Sequence, residues 1–388
     1  MLVREGGYTN LLALRMTCRI GGYALGGGAQ MFGASRDRGV ESGTVAPKLH
    51  GVNLSGWLVL EPWVTPSLFA GTGAFDEASL AASMSESRYA GLLRNHRDEF
   101  ISERDFAGIA ARGFDAVRLQ VPWYVFGESG PLPGPSVGCL GYVDQAFDWA
   151  EAADVSILLD VALAPGTDSG EPSSFFGDVD TFRHAMLDVT GALASRYATR
   201  QNFLGIEPID EVRCRTRHGL SVTEGVPPHL LRNFYRDCYE VVRSAAGPDP
   251  VLVLHDGGIG GSWRGFMSPD RYENVWLDCH VYHYAESMSA SGPTGVRRLV
   301  DDTVSYLSKA KKSGLEVMVG EWSAALPIAD AGMTPEGRIA LERVYTAGQL
   351  SAFAGTAGWF FQTWKTEGRL SSWDARVALS SFERGMFD

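Results

Sequence analysis

The sequence contains few cysteines, and they form no recognisable pattern. There are five, an odd number without any CxxC pair, at Cys18, Cys139, Cys214, Cys238 and Cys279. Such scattered cysteines predict neither a zinc site nor a framework of disulfides. Buried free thiols are the favoured interpretation, and they favour a reducing compartment.

Long apolar runs and an excess of positive charge are also missing. No window approaches the roughly 18 uninterrupted apolar residues that a membrane-spanning helix needs. The chain carries 34 Lys and Arg against 46 Asp and Glu, a formal net charge of −12, and it offers no basic stripe. We therefore expect neither nucleic acid nor a membrane as a partner. The oligomeric state stays open.

The first 45 residues are rich in glycine and lack the period of a helix or a strand. They predict an N-terminal arm over residues 1–45 that is poorly ordered or lies across the domain that follows. Arginines interrupt the apolar stretch near the N-terminus, so no clear signal peptide emerges. This favours a cytoplasmic location, and secretion stays open.

From residue 46 to residue 388, apolar runs alternate with segments of helical period, and we expect one catalytic domain. Eight runs predict strands: Leu49–Leu54, Ala116–Val121, Ser156–Val161, Phe203–Ile206, Pro250–His255, Val275–Val281, Glu316–Gly320 and Gly358–Phe361. Six segments predict helices: Glu103–Arg112, Val143–Ala153, Thr181–Tyr197, Leu230–Ala245, Val296–Lys312 and Pro335–Phe353. This alternation predicts an α/β fold, a (β/α)₈ TIM barrel. An open doubly wound sheet is the competitor, but Gly51–Gly56 lacks the glycine spacing of a phosphate-binding turn.

Two of the predicted strands lead directly into carboxylates. Phe203–Ile206 is followed by Asp210 and Glu211, and Glu316–Gly320 is followed by Glu321. In a (β/α)₈ barrel the carboxyl ends of the strands form the catalytic face. Two carboxylates there suit glycoside hydrolysis, one as proton donor and one as nucleophile. These residues alone leave open that they are ordinary strand-end acids paired with Arg or Lys.

The first strand leads into a long connection that is rich in tryptophan and proline. Glu61 and Trp63 lie within it. Aromatic faces beside carboxylates suit sugar rings, whose C–H faces stack while their hydroxyls seek acceptors. The alternative is a packed cap over one end of the barrel.

The pattern as a whole resembles glycoside hydrolase family 5, in its exo-β-1,3-glucanase-like branch. The resemblance runs from about Leu49 to Trp373 and is most specific at residues 51–62 and 65–69, GVNLSGWLVLEP and TPSLF. The further matches, in chain order, are Phe106, Gly113-Phe114, Val117-Arg118, Gly205-Ile206-Glu207, His255-Asp256, residues 277–282, residues 320–326, Gly358-Trp359 and residues 364–367.

The resemblance implies a retaining β-glycosidase that needs neither a cofactor nor a metal ion. It implies that Glu321 is the nucleophile and Glu211 the acid/base, with their carboxyl groups about 5–5.5 Å apart. The branch implies exo-action on the terminal sugar of a carbohydrate or a glycosylated small molecule.

The resemblance also implies supporting residues around the two carboxylates. Arg118 would hydrogen-bond Glu321 and keep it ionised. His280 would lie beside the acid/base, and the hydroxyl of Tyr282 would reach the nucleophile. The alternative for Arg118 and His280 is a structural ion pair and a satisfied core histidine.

The sequence departs from the family pattern at the positions that surround the bound sugar. Asp210 stands where the family has asparagine, and Ala162 where it has histidine. Gln362 aligns with a stacking tryptophan, although Trp364 follows two residues later. Gly257-Gly258 stand where a phenylalanine is expected. These changes predict a β-glycosidase with altered specificity.

Asp210 is the most informative departure, because a carboxylate cannot donate a hydrogen bond unless it is protonated. An amine at the sugar 2-position would match an ionised Asp210, and a neutral sugar would fit if neighbouring Glu211 and Glu321 keep Asp210 protonated. The alternative function is a glycosidase-like barrel repurposed to bind a carbohydrate-like ligand or to catalyse non-hydrolytic acid/base chemistry.

Overall fold

The computed structural model describes residues 49–130, 137–165, 179–218, 221–223, 225–284, 292–327 and 333–382. The predicted arm at residues 1–45 lies outside these ranges. Among the helices of the described residues, none is long and apolar enough to span a bilayer.

Eight parallel strands close into a barrel, as the alternating sequence pattern predicted. Their bounds are β1 Leu49–Asn53, β2 Ala116–Pro122, β3 Ser156–Leu163, β4 Phe203–Glu207, β7 Val251–His255, β8 Val275–Val281, β9 Glu316–Trp322 and β10 Gly358–Phe361. Around the barrel they follow the order β1-β10-β9-β8-β7-β4-β3-β2. Two further strands in the described ranges, β5 Thr216–His218 and β6 Ser221–Thr223, form a separate antiparallel pair.

The helices lie between the strands, and all six predicted helices are present. Those six are α4 Glu103–Ala111, α5 Leu140–Ala152, α6 Val179–Tyr197, α7 Pro228–Ala246, α8 Gly292–Ala310 and α9 Pro335–Ala352. Four further helices were not predicted from the sequence: α1 Pro66–Phe69, α2 Glu77–Ala82, α3 Glu86–Phe100 and α10 Ala375–Ala378. Helix α3 was missed because its buried side chains include His96 and Arg97, so its core-facing stripe is partly polar.

The side chains that point into the barrel form an apolar layer below a polar one. Ala116 and Phe360 belong to the apolar cluster that fills the interior. Successive inward residues on a strand are two positions apart, so Arg118 and Gln120 follow Ala116 toward the carboxyl end, and Gln362 follows Phe360. The barrel thus presents its polar side chains at the carboxyl ends of the strands.

Candidate active site

Arg118 lies at the centre of the polar layer, and all five of its N–H groups are used. Nε and Nη2 donate to Glu207 Oε2 at 3.0 and 2.8 Å. Nη2 also donates to Asp210 Oδ1 at 2.9 Å. Nη1 donates to Asn53 Oδ1 and to Glu321 Oε1, each at 3.1 Å. The contact between Arg118 and Glu321 that the sequence predicted is therefore present.

The guanidinium is completely buried among acids, and this shifts several pKa values. Burial alone would lower the pKa of Arg118, but Asp160, Glu207, Asp210 and Glu321 together raise it well above its ordinary value. Burial raises the pKa values of Asp160 and Glu207 well above the usual carboxyl range, although Arg118 opposes this. The positive charge of Arg118 compensates these carboxyl groups and so allows several of them to be buried together.

Glu321 lies at the end of β9, and its side chain is fully buried. Oε1 accepts from Arg118 Nη1 and, at 3.3 Å, from Gln120 Nε2. Oε2 accepts from the hydroxyl of Tyr282 at 2.6 Å. Both carboxylate oxygens are therefore held, and the orientation of the group is fixed. The family resemblance implied the contacts of Arg118 and Tyr282 but not that of Gln120.

The residue before Glu321 must be glycine. A Cβ on Gly320 would fall 1.8 Å from Oδ2 of Asp278 on the neighbouring strand. The backbone N–H of Gly320 donates to the same carboxylate. Because β8 and β9 approach each other so closely here, the end of β9 is held against β8. This contact fixes the position from which the Glu321 side chain extends.

His280 joins the two predicted catalytic carboxylates. Its Nδ1 lies 3.1 Å from Glu211 Oε1 and 3.5 Å from Glu321 Oε2. These two oxygens are therefore at most about 6.6 Å apart, which leaves room for the 5–5.5 Å separation of a retaining enzyme. That separation stays a prediction within this bound.

Glu211 differs from Glu321 in backbone and in exposure. Its φ is 44°, in the left-handed region that non-glycine residues rarely adopt. Its side chain is 26% exposed, whereas that of Glu321 is not exposed at all. The turn after β4 thus delivers one carboxylate that can exchange protons with solvent.

His280 is held in its charged form by acids on both sides. Burial would lower the pKa of His280, but Glu321 and Asp278 raise it well above its ordinary value. Its Nε2 lies 3.2 Å from Asp278 Oδ2. Burial would raise the pKa of Asp278, but the charged ring lowers it to about 2. As an imidazolium, His280 donates to Glu211 and Asp278 together.

The raised pKa of His280 predicts a pH-dependent contribution to stability. The charged ring stabilises the fold fully below the unfolded histidine pKa of about 6.5, and this contribution is lost as pH rises through the raised folded pKa. His280→Gln should therefore lower the free energy of unfolding more at pH 6 than at pH 9, measured by urea denaturation. His229→Gln, at an exposed site on α7, is the matched control. An equal loss at both pH values would contradict the prediction.

Aromatic side chains pack beside the nucleophile. The Tyr282 ring lies 5.6 Å from both Trp373 and Tyr284, and Trp63 lies 5.2 Å from Trp373, between ring centroids. Trp63 Nε1 donates to Glu61 Oε2 at 2.7 Å. Glu61 and Trp63 are both buried, so they support this aromatic cluster. Trp373 and Tyr284 were not among the predicted site residues, because only the fold brings these loops together.

The structure separates the two predicted residues that follow β10. Gln362 is buried at the polar layer, where its Oε1 accepts from Ser55 Oγ at 2.9 Å. Trp364 was predicted to bind the substrate or to support the site, and this role stays a prediction. Its Nε1 donates to Asp105 Oδ1, and its ring packs against Phe114 and α4. The backbone N–H of Trp364 still donates to the carbonyl of Asn53 at the end of β1, so it is the indole and not the backbone that lies away from the polar layer.

Among the described residues, two groups of acidic and histidine side chains are close enough to hold a cation. One is Asp210, His280 and Glu321, and the other is Asp160, Glu207 and Asp210; in each, the ligand atoms lie within 4.8 Å of one another. Arg118 donates to Asp210 and to Glu321 or Glu207, so a guanidinium already serves members of both groups. We interpret both as ion-pair networks.

A closed barrel with carboxylates gathered at the carboxyl ends of its strands defines a class of enzyme, the (β/α)₈ hydrolases that act through paired acids. The chain belongs to glycoside hydrolase family 5: its residues 82–331 match the family model described as cellulase (glycosyl hydrolase family 5). It is a retaining β-glycosidase, similar to the exo-β-1,3-glucanase-like branch of that family, as the sequence predicted.

The chain is similar to several fungal enzymes over most of its length. It is 33% identical to the probable glucan 1,3-beta-glucosidase A of Emericella nidulans, over 87% of this chain and 90% of that protein. It is 30% identical to the glucan 1,3-beta-glucosidase of Blumeria graminis, over 82% of this chain and 83% of that one. Among solved structures, rutinosidase from Aspergillus niger superposes with a TM-score of 0.69 at 18% identity, over 88% of this chain and 98% of that chain. This last likeness supports the fold alone.

Proposed function

We propose that this protein releases a terminal β-linked sugar from a carbohydrate or a glycosylated small molecule, with Glu321 as nucleophile and Glu211 as acid/base. The observation that carries the proposal is that a single nitrogen, Nδ1 of His280, lies within 3.5 Å of both carboxylates. Exo-action is supported by the similarity to glucan 1,3-beta-glucosidases.

Glu321 has the surroundings that a nucleophile needs. Arg118 places a positive charge 3.1 Å from Oε1 of Glu321, and Gln120 and Tyr282 hold the orientation of its carboxyl group. In the first step, an oxygen of Glu321 bonds to the anomeric carbon while the glycosidic C–O bond breaks. The product is a covalent glycosyl-enzyme.

Glu211 has the surroundings of a proton carrier. In the first step it gives its proton to the departing oxygen. In the second, it takes a proton from the water that attacks the anomeric carbon, and Glu321 leaves as a carboxylate. The partly exposed side chain allows water to reach it, and the contact with His280 fixes one of its oxygens.

Trapping with a 2-deoxy-2-fluoro β-glycoside that carries an activated leaving group tests the proposal. The fluorine slows the second step, so intact mass should show one added sugar, and peptide mapping should place it on Glu321. Glu321→Gln should remain unlabelled. A panel of such sugars together with aryl β-glycosides would identify the accepted ring.

Labelling at another carboxylate would overturn the assignment of roles. The absence of both labelling and hydrolysis across the whole panel would instead favour the alternative, a barrel that binds a carbohydrate-like ligand or performs proton transfer through Asp210, Glu211 and Glu321.

A further inference from the structure

His255 ends strand β7 and points into the barrel mouth. Val251 and Val253, four and two positions earlier on the same strand, belong to the apolar cluster inside the barrel, and every second side chain of a strand points the same way. His255 therefore lies in the polar layer, where it is 7% exposed. Neither step of the proposed reaction uses this histidine.

The hydrogen bonds of His255 fix the position of its ring proton. Nδ1 accepts from the backbone N–H of Gly257 at 3.1 Å, so Nδ1 carries no proton and the ring proton is on Nε2. The carbonyl of His255 accepts from the hydroxyl of Tyr235 at 2.9 Å, which holds the end of the strand. Nε2 is therefore a donor in a fixed position. In the described part of the chain it has no acceptor, and it is not enclosed by other atoms.

The loop after β7 leaves this donor uncovered. Gly257 and Gly258 have φ values of 64° and 70°, in the left-handed region that favours glycine. A Cβ on Gly257 would fall 2.7 Å from Sγ of Cys214, so there is no room for a side chain. A Cβ on Gly258 would meet no atom of the described residues within 4 Å. The loop therefore borders open space beside the histidine and places no side chain of these two residues in it.

His255 lies on the side of the mouth from which the leaving group departs. Glu321 attacks the anomeric carbon from the face opposite the departing oxygen, so the leaving group lies on the far side, next to Glu211. The strand order β9-β8-β7-β4 places His255 between His280 on β8 and the turn after β4 that carries Glu211. The rings of His255 and His280 lie 4.7 Å apart between centroids, and Nδ1 of His280 lies 3.1 Å from Oε1 of Glu211.

We propose that His255 binds the leaving group by donating a hydrogen bond from Nε2 to one of its oxygens, so that the enzyme prefers leaving groups with a hydroxyl near the glycosidic bond, as a second sugar has. A leaving group without an oxygen there would leave a largely buried N–H without an acceptor, which disfavours binding. This rests on the proposed function, and it names the class of leaving group for that same site.

Two substitutions separate the donor from the ring. His255→Phe keeps an aromatic ring that can pack against His280 but removes the N–H. His255→Gln removes the ring but keeps an amide N–H donor. The substrates are two β-glycosides of the accepted sugar: a disaccharide, whose leaving group has hydroxyls, and the glycosyl fluoride, whose leaving group has none.

We expect His255→Phe to lower kcat/KM on the disaccharide by at least about tenfold more than on the fluoride. His255→Gln should restore most of that difference, because it supplies a donor again. His229→Phe, at an exposed site on α7, is the control and should leave the ratio of the two substrates unchanged. Equal losses on both substrates would show that the ring acts only through His280 and would overturn the inference, as would a ratio that neither variant changes.

Reactivation of the trapped enzyme gives a second measurement that can be made on the wild type. A free sugar that binds in the leaving-group site should release the 2-fluoroglycosyl group from Glu321 at least about tenfold faster than cyclohexanol at the same concentration. Equal rates would overturn the inference. In that case the labelling of Glu321 still supports the proposed function. If neither substrate is hydrolysed and nothing is labelled, both fail.

Discussion

Glu321→Ala is expected to reduce hydrolysis of the accepted aryl β-glycoside by about 10⁴-fold or more, with the fold intact by circular dichroism. The loss is large because no other described carboxylate is held by Arg118, Gln120 and Tyr282 together. Glu211→Ala should cost about 10²–10⁴-fold, the range for general acid/base catalysis, and more for poor leaving groups, which need the proton most. Both effects are measured as kcat/KM by release of the aryl alcohol.

Azide separates the two roles by the stereochemistry of the product. In Glu321→Ala, azide can occupy the vacated space and attack the anomeric carbon directly, which gives an α-glycosyl azide after one inversion. In Glu211→Ala, azide attacks the glycosyl-enzyme on Glu321, and two inversions give the β-glycosyl azide. Glu240→Ala, at an exposed site on α7, is the control and should retain full activity. The same anomer from both variants would contradict the assignment.

Arg118→Met is expected to destabilise the protein by about 3–5 kcal/mol, because it leaves buried carboxylates without their counter-charge. Four acids, Asp160, Glu207, Asp210 and Glu321, lie within 3.1 Å of the guanidinium. Arg118 opposes the raised pKa values of Asp160 and Glu207, so without its charge these two pKa values rise further. The destabilisation should therefore be larger at pH 8 than at pH 5 in urea unfolding.

Arg118→Lys separates the charge from the geometry. It keeps the positive charge but cannot donate to four side chains at once. We expect it to fold more stably than Arg118→Met, and to lower kcat by about 10²–10³-fold with a smaller change in KM. A lysine variant with normal kcat would show that Arg118 supplies only charge to the site. A methionine variant as stable as the wild type would show that the buried acids do not need it.

Local patterns in the sequence determined the elements and the residues that carry the chemistry. The apolar runs marked all eight barrel strands, and their alternation with helical segments required parallel pairing. Acids that follow buried strands must lie at the barrel mouth, so the positions of Glu211 and Glu321 there could be predicted from the sequence alone. These inferences work because strand period and burial are properties of neighbouring residues.

The contacts between strands could only be decided by the tertiary structure. Between Asp278 and His280 the pairing of β8 with β9 shifts by one residue, so His280 lies opposite Glu321 instead of Gly320. No local pattern encodes such a shift, because it depends on how neighbouring strands pack. The same holds for Gln120, which contacts Glu321 from across the barrel, and for Trp364, whose indole packs against α4.

The tertiary structure also decided how the charges are shared. The sequence predicts that Asp210 favours a positively charged partner. In the fold, Arg118 donates a hydrogen bond to only one of its oxygens, Oδ1. The guanidinium of Arg118 donates five hydrogen bonds to residues on separate parts of the chain. Only the closed barrel brings these residues together. The sequence therefore determined that acids meet at the barrel mouth, and the register of its strands decided which groups contact one another.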